Sequence, residues 1–485
     1  MSQRTLREAR ASIELYEGED NDFNPLLSPA PISKDEMTHI LWLAVPLVGV
    51  QFLEFLPNTV NGMLMGHFSN QDKETRLYLA AGGLSNLYYT VFAFGLVSGV
   101  CTAMDALCAQ AFGKGMKGDI AYILQTAIVC ALAIFIPIAL LLAFASVLLG
   151  WMGQADEVAS VVQNFTRWMI LEVPGTFAYE ILKRVLQGQN IVFPIVLAIV
   201  IGNIVNAIAS YTLMYHTDMG YAGWTLSYAL VYLVAALSLI PAVNKLKQIH
   251  FREGLQWQEI RHRLPYFIYL SLNGWGLFVF EYFAVAFTGF LAGGLPQANL
   301  AMSANSIFLG FRTSFSMIYH GIGIAASIRV GNALGGNLPV RAKTAAWQTL
   351  GMAIVWGIVT TIAMFVLGPL YAKAYTNDEA IYEATKRLFW ATAPFQVANG
   401  IWSTVQGVFR GSGKPDKGVW MNFIAFFIIG MPLGHILAVS AGWGIIGLWI
   451  GVMIGFTICA IYGLYWLINV DWNDLVLEVD EKLHL

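Results

Sequence analysis

Two stretches of this chain, Ala121 to Leu149 and Thr344 to Leu367, are mainly apolar and carry no charged residue. A helix of about 20 such residues spans the roughly 30 Å of a bilayer's hydrocarbon. In that medium the backbone must pair its own polar groups, which leaves only helices or closed barrels. Barrel strands alternate polar and apolar positions, and these stretches do not. Hydrophobic residues make up 57% of the 485 and charged residues 12%, with a mean hydropathy of +0.61. That is the composition of a polytopic helical membrane protein and not of two or three soluble domains.

Helical runs are expected at about 38–66, 78–110, 117–150, 162–187, 192–215, 221–243, 265–292, 298–330, 344–371, 385–410, 418–440 and 443–469. The chain also repeats itself. Ala109-Gln110-Ala111-Phe112-Gly113-Lys114-Gly115 has its counterpart in Gly331-Asn332-Ala333-Leu334-Gly335-Gly336-Asn337, and Gly220-Tyr221-Ala222-Gly223-Trp224 in Gly444-Ile445-Ile446-Gly447-Leu448-Trp449. An offset of roughly 220 residues, about half the chain, predicts two duplicated lobes. The expected architecture is therefore all-α, with twelve transmembrane helices in two parallel six-helix lobes, 38–243 and 265–469. The polar segment 244–264 joins them, and 1–37 and 470–485 are tails.

Lys245, Lys247, Arg252, Arg261 and Arg263 place the joining segment in the cytoplasm under the positive-inside rule. Lys114, Lys117, Lys183, Arg184, Arg341, Lys343, Lys414 and Lys417 then fall on the same side, and both termini are cytoplasmic. The acidic first tail reads as disordered. Its Asp22-Phe23-Asn24-Pro25-Leu26-Leu27 has the form of an acidic-dileucine signal for a sorting adaptor, or is an unread tail. The expected location is the plasma membrane or a vacuolar or endolysosomal membrane, as a monomer. A net charge of −3 argues against a nucleic-acid partner. Cys101, Cys108, Cys130 and Cys459 lack the spacing of a metal site and read as small buried hydrophobes. No metal or cofactor is expected, and no Walker loop, nucleophile elbow or zinc-protease motif points to an enzyme.

Four polar residues fall near mid-membrane: Glu54 in the first run, Glu281 in the seventh, Arg312 in the eighth and Asn399 in the tenth. A charge at that depth costs at least ~2.5–3.5 kcal/mol, so it faces a partner or a water-filled cavity. Burial raises a carboxyl's pKa, and a carboxyl that titrates near neutrality can carry a proton. Glu281, in the aromatic stretch Leu277-Phe278-Val279-Phe280-Glu281-Tyr282-Phe283, is the leading candidate. Against this stands a structural Glu281–Arg312 pair, which would keep the carboxylate ionised and favour an anionic solute. Gln51 lies on the helix face of Glu54, and Pro57 frees backbone acceptors nearby. Asn305 and Tyr282 complete the candidate coupling and substrate set. Asp105, Arg329 and Arg410, near the ends of their helices, are gating or structural candidates. His216, His320 and His435 read as packing residues and not as ligands.

Further motifs carry a family resemblance over about residues 38 to 469: Gly66-His67, Leu186-Gln187-Gly188-Gln189 with Pro194 and Asn203, Arg329-Val330-Gly331-Asn332-Ala333-Leu334-Gly335 and Arg410-Gly411-Ser412-Gly413. Together with the repeated motifs above, they resemble the eukaryotic multidrug and toxic compound extrusion (MATE) transporters. The resemblance implies a cavity in each lobe and export of drugs or metabolites in exchange for protons by rocking of the lobes. It also implies that Glu281 is the main proton and substrate carboxylate, and that Asp105 matches an acid of some relatives. Three positions depart from the pattern, because Asn399, Ala286 and Gly310 stand where relatives carry acids. With Arg312 gained, neutral and anionic solutes are in play beside cations. Na⁺ coupling, a lipid flippase and a non-transporting receptor are the alternatives.

Overall fold

The computed structural model describes residues 32–66, 72–151, 156–217, 219–246 and 254–483. The dileucine motif, His67 and the middle of the joining segment lie outside the described residues. The first lobe comprises α1 (Ile32–Gly66), α2 (Asp72–Tyr89, a π turn Thr90–Phe94, then Gly95–Gly113) and α3 (Asp119–Ala143 with Ala145–Trp151). It continues with α4 (Asp156–Met169 and Glu172–Gly188), α5 (Phe193–Tyr215) and α6 (Tyr221–Asn244). The second lobe has α7 (Trp257–Ala292), α8 (Ala298–Gly335) and α9 (Pro339–Tyr375). Then come α10 (Glu379–Thr392, Ala393–Phe395, Gln396–Gly411), α11 (Pro415–Asn422, with π turns Phe423–Gly430 and Ile436–Ser440 around Met431–His435) and α12 (Gly444–Asn469), followed by a short α13 (Trp472–Leu483).

Nine of these helices, among the described residues, are long and apolar enough on their own to cross a membrane. Apart from the short α13, those that fall short are α4, α8 and α10. Those three carry many of the buried charges and amides, among them Glu172, Glu180, Lys183, Asn305, Arg312, Arg329, Asn399 and Gln406, and α4 and α10 are each broken part-way along.

Some boundaries differ from the sequence expectation. The helix α1 already begins in the segment expected to be a disordered tail, so Asp35 and Glu36 are helical. Their partners are on the other lobe: Arg329 Nε and Nη2 bind Glu36 Oε1 and Oε2 at 2.6 and 2.7 Å, and Arg341 Nη2 binds Asp35 at 2.8 Å. Two helical turns ahead of Pro265 belong to α7, because Arg263 pairs with Glu259 and, at 3.0 Å, with Asp119. The C-terminal tail is the helix α13, whose Trp472, Leu475, Val476 and Val479 are buried. Lys114 of the first lobe meets its Asp480 at 2.6 Å, and Lys414 of the second meets Glu478. Burial opposes ionisation of Glu478, but Lys414 and then Lys482 outweigh it and hold its carboxyl below the usual range.

The repeat is visible as a reciprocal contact. A Cβ on Gly113 would stand 2.0 Å from the Asn332 carbonyl oxygen, and one on Gly335 would stand 2.0 Å from that of Gln110. Only glycine lets α2 and α8 touch so closely. Both helices end alike, since Met116 N donates to Ala111 O and Leu338 N to Ala333 O. Gly115 (φ 82°) and Asn337 (φ 61°) supply the left-handed residue of each cap. Elsewhere Gly321 packs on Val48, Gly331 on Ala109 and Gly99 on the Ser271 carbonyl. The reciprocal contact closes the lobes together at the end that carries Gly113 and Gly335.

Candidate functional site

Each lobe places a glutamate of its first helix against two residues one turn apart on its fourth. In the first lobe Tyr179 Oη donates to Glu54 Oε1 at 2.7 Å and Lys183 Nζ at 2.8 Å. In the second lobe Gln406 Nε2 donates to Glu281 Oε2 at 2.5 Å, and the Trp402 indole faces the same carboxylate. The pairs 179/183 and 402/406 have the i, i+4 spacing that puts both side chains on one helix face. The two sites are the same construction with different charge.

Glu54 is neutralised where it stands. Gln51 Nε2 also donates to it at 3.1 Å, and its helix is shaped by Pro57, which cannot donate to the Leu53 carbonyl; Asn203 Nδ2 on α5 does so instead, at 2.9 Å. From Glu54 a chain of ions crosses the protein. Lys183 bonds Glu180 at 2.5 Å, Arg184 reaches Glu180 at 3.4 Å and Asp105 at 3.1 Å, and Arg410 of the second lobe approaches Asp105 at 3.7 Å. Lys183 and Arg184, expected among the basic residues of the membrane face, are thus interior residues. Desolvation explains the error: a lysine is admitted to the interior only with paired carboxylates, and Glu54 and Glu180 supply two. Lys183→Met leaves both without it, so it should lower the unfolding temperature of the purified protein through a loss of roughly 3–5 kcal/mol. Adding Glu54→Gln should recover part of that loss, and an unchanged melt in Lys183→Met would contradict the network.

Glu281 has no cation within ion-pair distance among the described residues. It is half-buried and surrounded by protein, so what it meets is an interior space. The alternative Glu281–Arg312 ion pair is not formed among the described residues. The Arg312 guanidinium lies instead against the rings of Trp449 and Phe456 of α12, at 5.5 and 5.4 Å. Asn305 Oδ1 accepts from Trp449 Nε1 at 2.7 Å, which fixes that ring. Tyr282 stacks on Phe278 at 5.5 Å, whose edge meets Phe94 of the first lobe at 5.7 Å. The mid-membrane residues therefore divide between the lobes, with Glu54 and Gln51 in the first and Glu281, Arg312, Asn399, Asn305 and Tyr282 in the second.

The MatE family model matches residues 46–212 and 277–436, taking in both glutamates and their partners. The chain belongs to the MatE family. MatE proteins include multidrug and toxin extrusion transporters, and it is 27% identical over 436 residues to Protein DETOXIFICATION 17 of Arabidopsis thaliana, covering 88% of each chain. It is 29% identical over 450 residues to Multidrug and toxin extrusion protein 2 of Oryctolagus cuniculus, covering 92% of this chain and 73% of that one. Its fold is similar to the crystal structure of the eukaryotic MATE transporter AtDTX14, with a TM-score of 0.86 at 22% identity over 93% of this chain and all of that one. The MatE chain is thus a multi-pass integral membrane protein of a family of small-solute transporters, not enzymes. Its four cysteines are free and buried. Among the described residues no group of His, Cys, Asp and Glu could hold a metal.

Five residues of the MatE interior escaped sequence reasoning: Glu172, Glu180, Lys183 as a buried partner, Trp402 and Gln406. The first three lie in α4, where charge lowers hydropathy and makes the segment read as a helix end. Their polarity inside a necessary span was the available signal. Glu172 is closed off beneath Tyr89 and only 4% exposed.

Proposed function

We propose that this MatE protein exports small organic solutes in exchange for protons, with Glu281 as the coupling carboxyl. The observation that carries the reading is the contrast between the paired sites. Glu54 is satisfied by an ammonium and a phenol, while Glu281 is held by an amide and open to an interior space. A carboxyl with a neutral partner can change charge without stranding a buried cation. A proton and a solute group can then compete for it. The lobes, joined at the end of Gly113 and Gly335, rock about the cavity so that it faces each side in turn.

The test is uptake by proteoliposomes under an imposed pH gradient with Na⁺ absent, repeated with a Na⁺ gradient at uniform pH. Proton exchange requires accumulation only in the first condition. Accumulation only in the second assigns sodium coupling, and binding without accumulation describes a receptor.

We place both termini and the closed end of the lobes in the cytoplasm, since Lys114, Lys117, Lys414 and Lys417 lie at that end and the segment joining the lobes is rich in basic residues. The protein acts as a monomer in the plasma membrane or in a vacuolar or endolysosomal one. If an adaptor reads the tail, Leu26→Ala with Leu27→Ala moves the protein to the cell surface with transport unchanged; an unaltered distribution in imaged cells would remove the sorting role.

A further inference from the structure

Arg312 has a place in the fold but no partner for its charge. It is 8% exposed, its Nε is buried without a hydrogen bond, and no hydrogen bond or ion pair involves it among the described residues. Its guanidinium lies against ring faces, and Glu281 acts on it from beyond ion-pair distance. Cation–π contact uses the flat face of a guanidinium and leaves the N–H edge free. An isolated buried cation is costly, and the usual remedy is an acceptor on that edge.

The surroundings are built to hold this side chain in position. Trp449 is fixed by its bond to Asn305 and by the edge of Phe308 at 4.7 Å. On α10, Asn399 is 5% exposed and its Nδ2 also lacks a partner. Its neighbour Gly400 packs on the Tyr319 ring, and Tyr319 lies two turns beyond Arg312 on the same face of α8. Two adjoining helices thus carry unused buried donors, Arg312 Nε and Asn399 Nδ2, while Gln406 donates to one oxygen of Glu281.

We infer that Arg312, with Asn399, receives an acidic group of the transported solute: a carboxylate, sulfonate or phosphate, each of which matches the planar donor fork. This rests on the proton-exchange reading in one respect. A solute that competes with a proton for Glu281 presents a cationic or donor group there, so the preferred cargo is amphoteric, with its acid on Arg312 and its donor on Glu281. The aromatic walls suit a flat ring between the two.

The probes are rhodamine B, which joins a cationic ring system to a carboxylate, and its ethyl ester, which lacks only the acid. Binding is measured with the full chain in phospholipid-free detergent. The acid should bind about 10- to 100-fold more tightly than the ester, the value of one charge-assisted contact. Arg312→Ala should bring the two together mainly by weakening the acid. Arg312→Gln keeps polar bulk on α8 and serves if the alanine variant misfolds, with ester binding as the control for folding. Equal binding in the parent protein, or a preference that survives either substitution, would overturn the assignment. Loss of the preference on adding phosphatidylglycerol would give Arg312 to a lipid headgroup and overturn it too. Glu281→Gln distinguishes the two readings, because it should retain the preference for acid while losing proton-driven flux. Acid preference in a parent protein that ignores pH gradients would remove proton exchange and leave the Arg312 site standing. Proton-driven transport of the ester without any preference would do the reverse.

Discussion

Glu281→Gln should reach the membrane folded and carry no proton-driven flux, with uptake falling by about 100-fold or to the level of empty vesicles. The substitution keeps side-chain size, and the new amide oxygen can still accept from Gln406, so the change in stability should stay within about 1 kcal/mol. What it removes is the ability to exchange a proton. Glu54→Gln should do less to coupling, because Lys183 keeps Glu180 as a partner at 2.5 Å. The measurement is dye accumulation in proteoliposomes at several imposed pH gradients, with protein content and orientation checked for each variant. Undiminished gradient-driven uptake in Glu281→Gln would move the coupling site to the first lobe, where Glu54, Asp105 and the occluded Glu172 would be next to test.

How far the sequence reached depended on whether a residue's partner lay nearby in the chain or came from another helix. Uncharged runs such as Ala121 to Leu149 can only be spans, and the echo of Gly113 in Gly335 marks a duplication before any contact is known. Glu281 stands out because nothing polar surrounds it in sequence. Its counterpart Glu54 was equally visible, but the reason it differs is Lys183, some 130 residues away along the chain, and no local pattern ties the two. The same limit hid Gln406, an ordinary amide until α10 brings it to Glu281. Whether Arg312 pairs with Glu281 stayed open in the sequence because hydropathy gives depth and not azimuth. The Trp449 and Phe456 rings, contributed by α12, decide where the guanidinium goes. Reading α4 as ending in a basic surface cluster failed for a related reason: Lys183 and Arg184 resemble an interfacial anchor unless Glu54, Glu180 and Asp105 are known to converge on them.

Alternating access requires contacts that hold one end shut and can be surrendered, and the pair Glu36–Arg329 has the required form. Both side chains are buried, at 0% and 4% exposure, and the pair is bidentate between helices of opposite lobes. In the closed arrangement Arg329→Ala strands a buried carboxylate, at a cost of about 3–5 kcal/mol. Once that end opens, water reaches Glu36 and most of the cost disappears. The difference falls on the equilibrium between the two arrangements and shifts it by two to three orders of magnitude towards opening. An Ala109→Cys probe, made with the four native cysteines replaced, reports this directly, since Ala109 is fully buried against Gly331 at the closed end. A membrane-impermeant maleimide should label it slowly in the parent protein and at least about tenfold faster in Arg329→Ala. Exchanging the charges, as Glu36→Arg with Arg329→Glu, should slow labelling again because the pair is re-formed in reverse. If Arg329→Ala leaves the labelling rate unchanged, the pair does not hold the closed end, and the reciprocal packing of Gly113 and Gly335 must close it instead. A valine at Gly113 would then be the substitution that opens it.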